Sequence, residues 1–141
     1  MKRKASAVWI GGLKDGKGVV STESGVLSNT AYSFSTRFEN EKGTNPEELI
    51  AAAHAGCFSM AFSAELGKAN LKPESISTSA TLTLEMLEGG PTVTSIHLDT
   101  TAKILGADKA AFEKAANTAK AGCPISRLLN TKITLDAKLE S

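Results

Sequence analysis

Apolar and polar positions alternate in twos along much of this chain and in threes and fours along two long stretches. Residues 5–10 (ASAVWI) and 17–22 (KGVVST) are short apolar runs around a Gly-rich turn, which predicts two strands. Tyr32, Phe34, Thr36 and Phe38 alternate with Ser33, Ser35, Arg37 and Glu39. That period of two predicts a third strand with an aromatic face and a polar face, Arg37 lying on the polar one. Asn45 then offers a helix cap, Pro46 suits the first helical position, and Glu47 and Glu48 suit the positive end of the helix dipole. The run that follows, LIAAAHAGCFSMAFSAELGKA, is apolar nearly all round and predicts a buried central helix ending near Gly67 and Pro73.

Beyond Pro73, residues 76–86 alternate, Gly89-Gly90-Pro91 turns the chain, and Ile96, Leu98, Thr100 and Ala102 alternate on the way back. This predicts a long hairpin. Asp108 can cap a helix whose apolar side holds Phe112, Ala115, Ala116 and Ala119 and which stops at Gly122. A short helix restarts at Cys123-Pro124 and ends near Asn130, and Ile133, Leu135, Ala137 and Leu139 mark a closing strand. Strands and helices come in blocks, so the expected class is α+β. Neither repeat nor linker interrupts the 141 residues, and the expectation is one domain over residues 1–141.

Composition narrows the function classes. The chain is 41% hydrophobic and 22% charged with a formal net charge of +1, which offers no broad basic field for nucleic acid. Aromatics make up 5%, too few for a base-stacking surface. The start Met1-Lys2-Arg3-Lys4 is basic but lacks the apolar core of a signal peptide. No stretch reads as the ~20 apolar residues of a membrane span. The expectation is a soluble, cytoplasmic protein with no membrane and no nucleic-acid partner, in which a lasting structural disulfide would be unusual.

Candidate chemistry centres on two cysteines, which form neither a CxxC pair nor a zinc-ligand spacing, so no metal and no bound cofactor is expected. Cys57 lies mid-helix beside Ala55, Gly56 and Ser59, small neighbours that admit a partner or substrate. Cys123 stands at a helix N-terminus, where dipole and free amides favour a thiolate. A cysteine in an apolar helix also reads simply as a small core residue. His54, three residues before Cys57, shares its helix face and could support acyl transfer or hydrolysis. A packed or partly exposed histidine is the preferred reading, since nothing in the sequence orients the imidazole and no oxyanion-hole signature is visible. His97, in a strand, carries no expected role.

Thr36 to Phe58, TRFENEKGTNPEELIAAAHAGCF, and the later AGCP of Ala121 to Pro124 resemble the osmotically inducible protein C and organic hydroperoxide resistance family (OsmC/Ohr). KGVVSTESGVL, the hairpin and the closing ITLDAKLES are similar as well, so the resemblance spans the whole chain. TRFE and EKGTNPEEL resemble the osmotically inducible branch. The resemblance implies an α+β OsmC-like fold, with antiparallel sheets around a buried central helix and two chains intertwined as a homodimer. It implies a peroxidase for small organic hydroperoxides that serves in defence against oxidative or osmotic stress. Carried over by position, Cys57 is the peroxidatic cysteine, Cys123 the resolving one, Arg37 the cation that holds the thiolate, and Glu47 the carboxylate that positions Arg37. The family also suggests an external dithiol reductant, such as a lipoyl group.

The chemistry suits these residue types. The reacting species is the thiolate, burial opposes it, and an Arg in range restores it. Attack on the O–O bond leaves a sulfenic acid on Cys57, which Cys123 converts to a disulfide for an external dithiol to reopen. Glu47 and Cys57 are ten positions apart, about 15 Å along a straight helix. Their side chains then meet only across a two-fold interface, so two shared active sites are expected. Phe58, Met60 and Phe62 suggest an apolar approach to Cys57. The alternatives are a Cys57/His54 acyl transferase or hydrolase, a non-enzymatic small-ligand carrier, and a redox sensor without turnover.

Overall fold

A computed structural model describes all of Met1–Ser141, and the chain divides into two compact units, Met1–Leu49 and Ile50–Ser141. In the first unit, β1 (Ala5–Ile10), β2 (Lys17–Thr22) and β3 (Thr30–Tyr32) pair antiparallel in that order. Gly18 is required there, because a Cβ would stand 2.6 Å from the Trp9 ring and 2.7 Å from Cζ of Tyr32. Its absence lets Trp9 and Tyr32 meet at 5.4 Å between centroids.

The third strand stops short of expectation. It ends at Tyr32, and α1 (Phe34–Phe38) follows as a short helix. The cause is a capping box. The Ser33 hydroxyl accepts from Thr36 N–H at 3.2 Å, and Thr36 Oγ1 accepts from Ser33 N–H at 2.7 Å. Phe34 and Phe38, two apart in the alternation, are also four apart on a helix, and their rings stack at 4.9 Å. Arg37 therefore sits on a helix and not on a strand face.

The helix start at Pro46 is as expected. Asn45 Oδ1 accepts from Glu48 N–H at 2.8 Å, while Asn45 Nδ2 donates to the Thr36 carbonyl at 3.2 Å. One side chain thus caps α2 (Pro46–Lys68) and ties it to α1.

In the second unit, β4 (Ser75–Leu87) and β5 (Gly90–Lys103) form the long antiparallel hairpin. Helix α3 (Lys109–Gly122), the short α4 (Pro124–Leu128) and β6 (Lys132–Glu140) follow. β6 pairs parallel with β5, so this sheet is mixed where antiparallel pairing was expected. The α3–α4 connection supplies the crossover that parallel neighbours need. Ile96, Leu98, Thr100 and Ala102 all point into the core, as their alternation predicts. So do Phe112, Ala115, Ala116 and Ala119 of α3.

Helix α2 is apolar all round but buries one strip: His54, Phe58, Phe62 and Leu66. Met60 on another side is 78% exposed. By length and composition, 23 residues with an 18-residue window at a mean hydropathy of 1.3, α2 could cross a membrane, which corrects the expectation that no segment reaches that length. Its buried strip marks it as a core helix: Phe62 packs on Phe58 at 5.5 Å and on Phe112 of α3 at 5.4 Å.

Replacing Phe62 by Ala should cost about 3–5 kcal/mol, because the ring is fully buried and rigid elements surround the space it leaves. Urea unfolding at fixed protein concentration measures it; a loss under about 1 kcal/mol would contradict this packing.

Candidate functional site

Cys57 and Cys123 come together in the second unit. Both are free thiols, Cys57 half-buried on α2 and Cys123 buried at the joint between α3 and α4. Cys123 ends one helix and starts the next. Its N–H donates to the Ala119 carbonyl at 3.0 Å, and its sulfur accepts from the Ser126 N–H at 3.4 Å. Pro124 fits the first position of α4, where a missing N–H costs nothing. Burial pushes the Cys57 thiol up from its ordinary value; a hydrogen bond from the Ile125 backbone works against this, and a hydrogen bond with Cys123 and its charge push the same way as burial. The two thiols are therefore neighbours in one core, and the local environment favours the neutral form of Cys57.

His54 is fully buried, and it is oriented, contrary to the sequence reading. Its Nε2 lies 2.7 Å from Ser126 Oγ, and that oxygen lies 3.1 Å from Cys123 Sγ. The imidazole thus bonds to Ser126 and not to Cys57, although His54 and Cys57 are one helical turn apart. Nδ1 is buried without a partner, and burial lowers the His54 pKa. Ser126 is the residue that sequence reasoning missed. Its signal was a serine three residues after Cys123 at a Pro-marked helix start, the position whose N–H an N-cap side chain receives.

In the first unit, Arg37 and Glu47 pair directly. Arg37 Nε and Nη2 both donate to Glu47 Oε1, at 2.7 and 2.6 Å. The guanidinium also lies over the Phe38 ring at 5.0 Å. Glu47 is in the first turn of α2, and its Oε2 is buried without a partner. Beside Arg37 opens a cleft of about 280 Å³ walled by Trp9, Leu13, Tyr32, Phe34 and Phe38. The expected apolar approach through Phe58 and Phe62 is corrected, since both are fully buried core residues. The aromatic wall lies instead around Arg37, and reading residues 32–38 as a strand hid it. His97 is a surface group bonded to Thr134 at 2.6 Å and Asp136 at 3.2 Å.

Residues 39–138 match the family model described as OsmC-like protein. Peroxiredoxin OsmC of Escherichia coli K12 is 52% identical over 139 residues, which cover 99% of this chain and 97% of that protein. The organic hydroperoxide resistance protein OhrB of Bacillus subtilis 168 is 31% identical over 124 residues, 87% of this chain and 88% of that one. A solved OsmC-like protein of unknown function from Vibrio cholerae shares the fold, with a TM-score of 0.77 at 19% identity over 97% of this chain and 99% of that chain.

The buried imidazole makes stability depend on pH. Its folded pKa is lowered, whereas the unfolded chain takes up the proton near the ordinary value of about 6.5. The contribution is full above that value and is lost as pH falls from it toward the folded value. Urea midpoints measured from about pH 7.5 to about pH 5 should fall less steeply in His54→Gln than in the parent; equal slopes would contradict it.

Proposed function

This chain belongs to the OsmC-like protein family, and from that premise we propose that it reduces organic hydroperoxides, Cys57 attacking and Cys123 resolving. The observation that carries this reading is the pair of free thiols that pack into one core in the second unit. The Cys57 thiolate displaces an alcohol from the O–O bond and becomes a sulfenic acid. Cys123 condenses with it to a disulfide and water, which guards Cys57 from irreversible oxidation. An external dithiol, such as a lipoyl group, reopens the disulfide by exchange.

Burial and Cys123 both oppose ionisation of Cys57, so the reading needs a cation. Arg37 is the candidate, with Glu47 as the residue that orients it. The aromatic cleft beside Arg37 suits an alkyl tail, each buried CH₂ contributing about 0.8 kcal/mol that hydrogen peroxide cannot gain. We take Arg37 and Cys57 to come from different copies of a homodimer of the 141-residue domain, held in the cytoplasm. Val8, Ile10, Leu13 and Met60, all more than half exposed on one chain, support a second copy covering them. An acyl-transfer role for Cys57 and His54 loses its footing, because the imidazole is engaged by Ser126.

Intact-mass and peptide-mapping spectrometry of the reduced protein after one equivalent of an alkyl hydroperoxide tests the two-cysteine reading. The expected product has lost two hydrogens and carries a Cys57–Cys123 link. Two thiols that both remain alkylatable would favour a ligand carrier instead.

Arg37→Ala should lower kcat/KM by about 10- to 1000-fold, one to three units of thiol pKa. Cys57→Ser should abolish turnover. Co-refolding the two variants should restore about a quarter of full activity, since half of the random dimers are mixed and each then holds one intact site. No recovery would sink the shared site.

A further inference from the structure

A buried file of polar groups leads away from Cys123 into the core of the second unit. Cys123 Sγ is 3.1 Å from Ser126 Oγ, and Ser126 Oγ is 2.7 Å from His54 Nε2. The three residues are 1%, 7% and 0% exposed, and they join α2 to the α3–α4 joint. Cys57 packs against the same core as Cys123. Core packing alone accounts poorly for the imidazole. Its Nε2 is satisfied, but Nδ1 is buried and unpartnered, a cost that an apolar side chain of similar size would avoid.

We infer that Ser126 and His54 form the proton exit of the resolving step, Ser126 touching the reacting thiol and His54 accepting through it. This rests on the two-cysteine reading given above. The Ser126 hydroxyl carries one proton between two neighbours. When it points at Nε2, its oxygen accepts the S–H of Cys123. When it points at Sγ, Nε2 holds a proton and donates to the same oxygen. Passing from one arrangement to the other moves a proton from Cys123 to His54 without moving a heavy atom.

The chemistry balances. Cys123 Sγ attacks the Cys57 sulfenic sulfur, the S–S bond forms, and the S–O bond breaks. Cys123 is oxidised and the sulfenic sulfur reduced. The thiol proton passes to Ser126 Oγ while the serine's own proton passes to Nε2. The departing hydroxide takes a proton from solvent, His54 later returns one to solvent, and the sum is a disulfide and one water. Burial keeps the resting imidazole neutral, as an acceptor must be.

The effect has a ceiling. An ordinary thiol is already a few per cent thiolate near pH 7, so full removal of its proton gains about 30-fold at most. A loss of about tenfold is expected, within that ceiling and below the usual range of general-base effects.

The test is a single turnover with tert-butyl hydroperoxide, following peroxide consumption and, by alkylation quench and intact mass, disulfide closure. In Ser126→Ala and His54→Gln the ratio of closure rate to consumption rate should fall about tenfold, with more Cys57 sulfinic acid under excess peroxide. Ser126→Thr, which keeps the hydroxyl, should recover most of the ratio. Gln at position 54 can still bond to Ser126 but cannot take a proton, so an unchanged ratio in His54→Gln overturns the inference. So does an unchanged ratio in Ser126→Ala, or a parallel fall of both rates with a lowered unfolding midpoint, which would mark a structural role. If the parent closes no disulfide, the two-cysteine reading fails and this inference with it.

Discussion

His54, Phe58, Phe62 and Leu66 recur every four residues along α2, and each is fully buried. That strip shares one core with Ile96, Leu98 and Ala102 of β5 and with Phe112 and Ala116 of α3. Once these side chains are buried, the rotation of α2 is set. Cys57, one position before Phe58, is left at the margin of the core, half-buried and near Cys123. His54 is driven inward, where only Ser126 meets its Nε2. Hydrophobic packing thus chooses the neighbours of both polar groups.

The same burial creates an electrostatic problem. A thiol at the core margin resists ionisation, and a second thiol beside it adds to that resistance. The first unit holds a charged pair already assembled. Ser33 and Thr36 start α1, Asn45 starts α2 and grips the α1 carbonyl, and Arg37 is thereby brought onto Glu47. A guanidinium held by a carboxylate and an aromatic face has lost rotamer freedom in advance, which favours a site that needs a fixed cation. Under the proposed reading Cys57 needs the cation that Arg37 carries, which favours an active site shared between copies.

Cys123 shows how a single residue can serve two local roles. As the C-cap of α3 and the N-cap of α4, it is held by backbone bonds on both sides. Its sulfur accepts from the Ser126 N–H at 3.4 Å, so the turn that starts α4 sets Ser126 against it. Under the two-cysteine reading proposed above, the resolving thiol is positioned before any peroxide arrives.

Local patterns alone determined much of this protein. The caps at Asn45 and Asp108, the stop at Gly122, the alternation of Ile96 to Ala102 and the helical face of Phe112 to Ala119 each depend on neighbours within a few residues, and all appear where expected. The family resemblance pointed to the two cysteines and to Arg37 and Glu47 for the same reason, since short motifs carry them. Only tertiary structure decided the rest. Residues 33–38 satisfy a period of two and a four-residue spacing at once; the Ser33–Thr36 box favours the helix, and Asn45, nine residues on, holds it by donating to the Thr36 carbonyl. The direction of β6 follows from its crossover and not from its own alternation. The bond between His54 and Ser126 joins residues 72 apart, and no local period records a contact made by folding one element onto another.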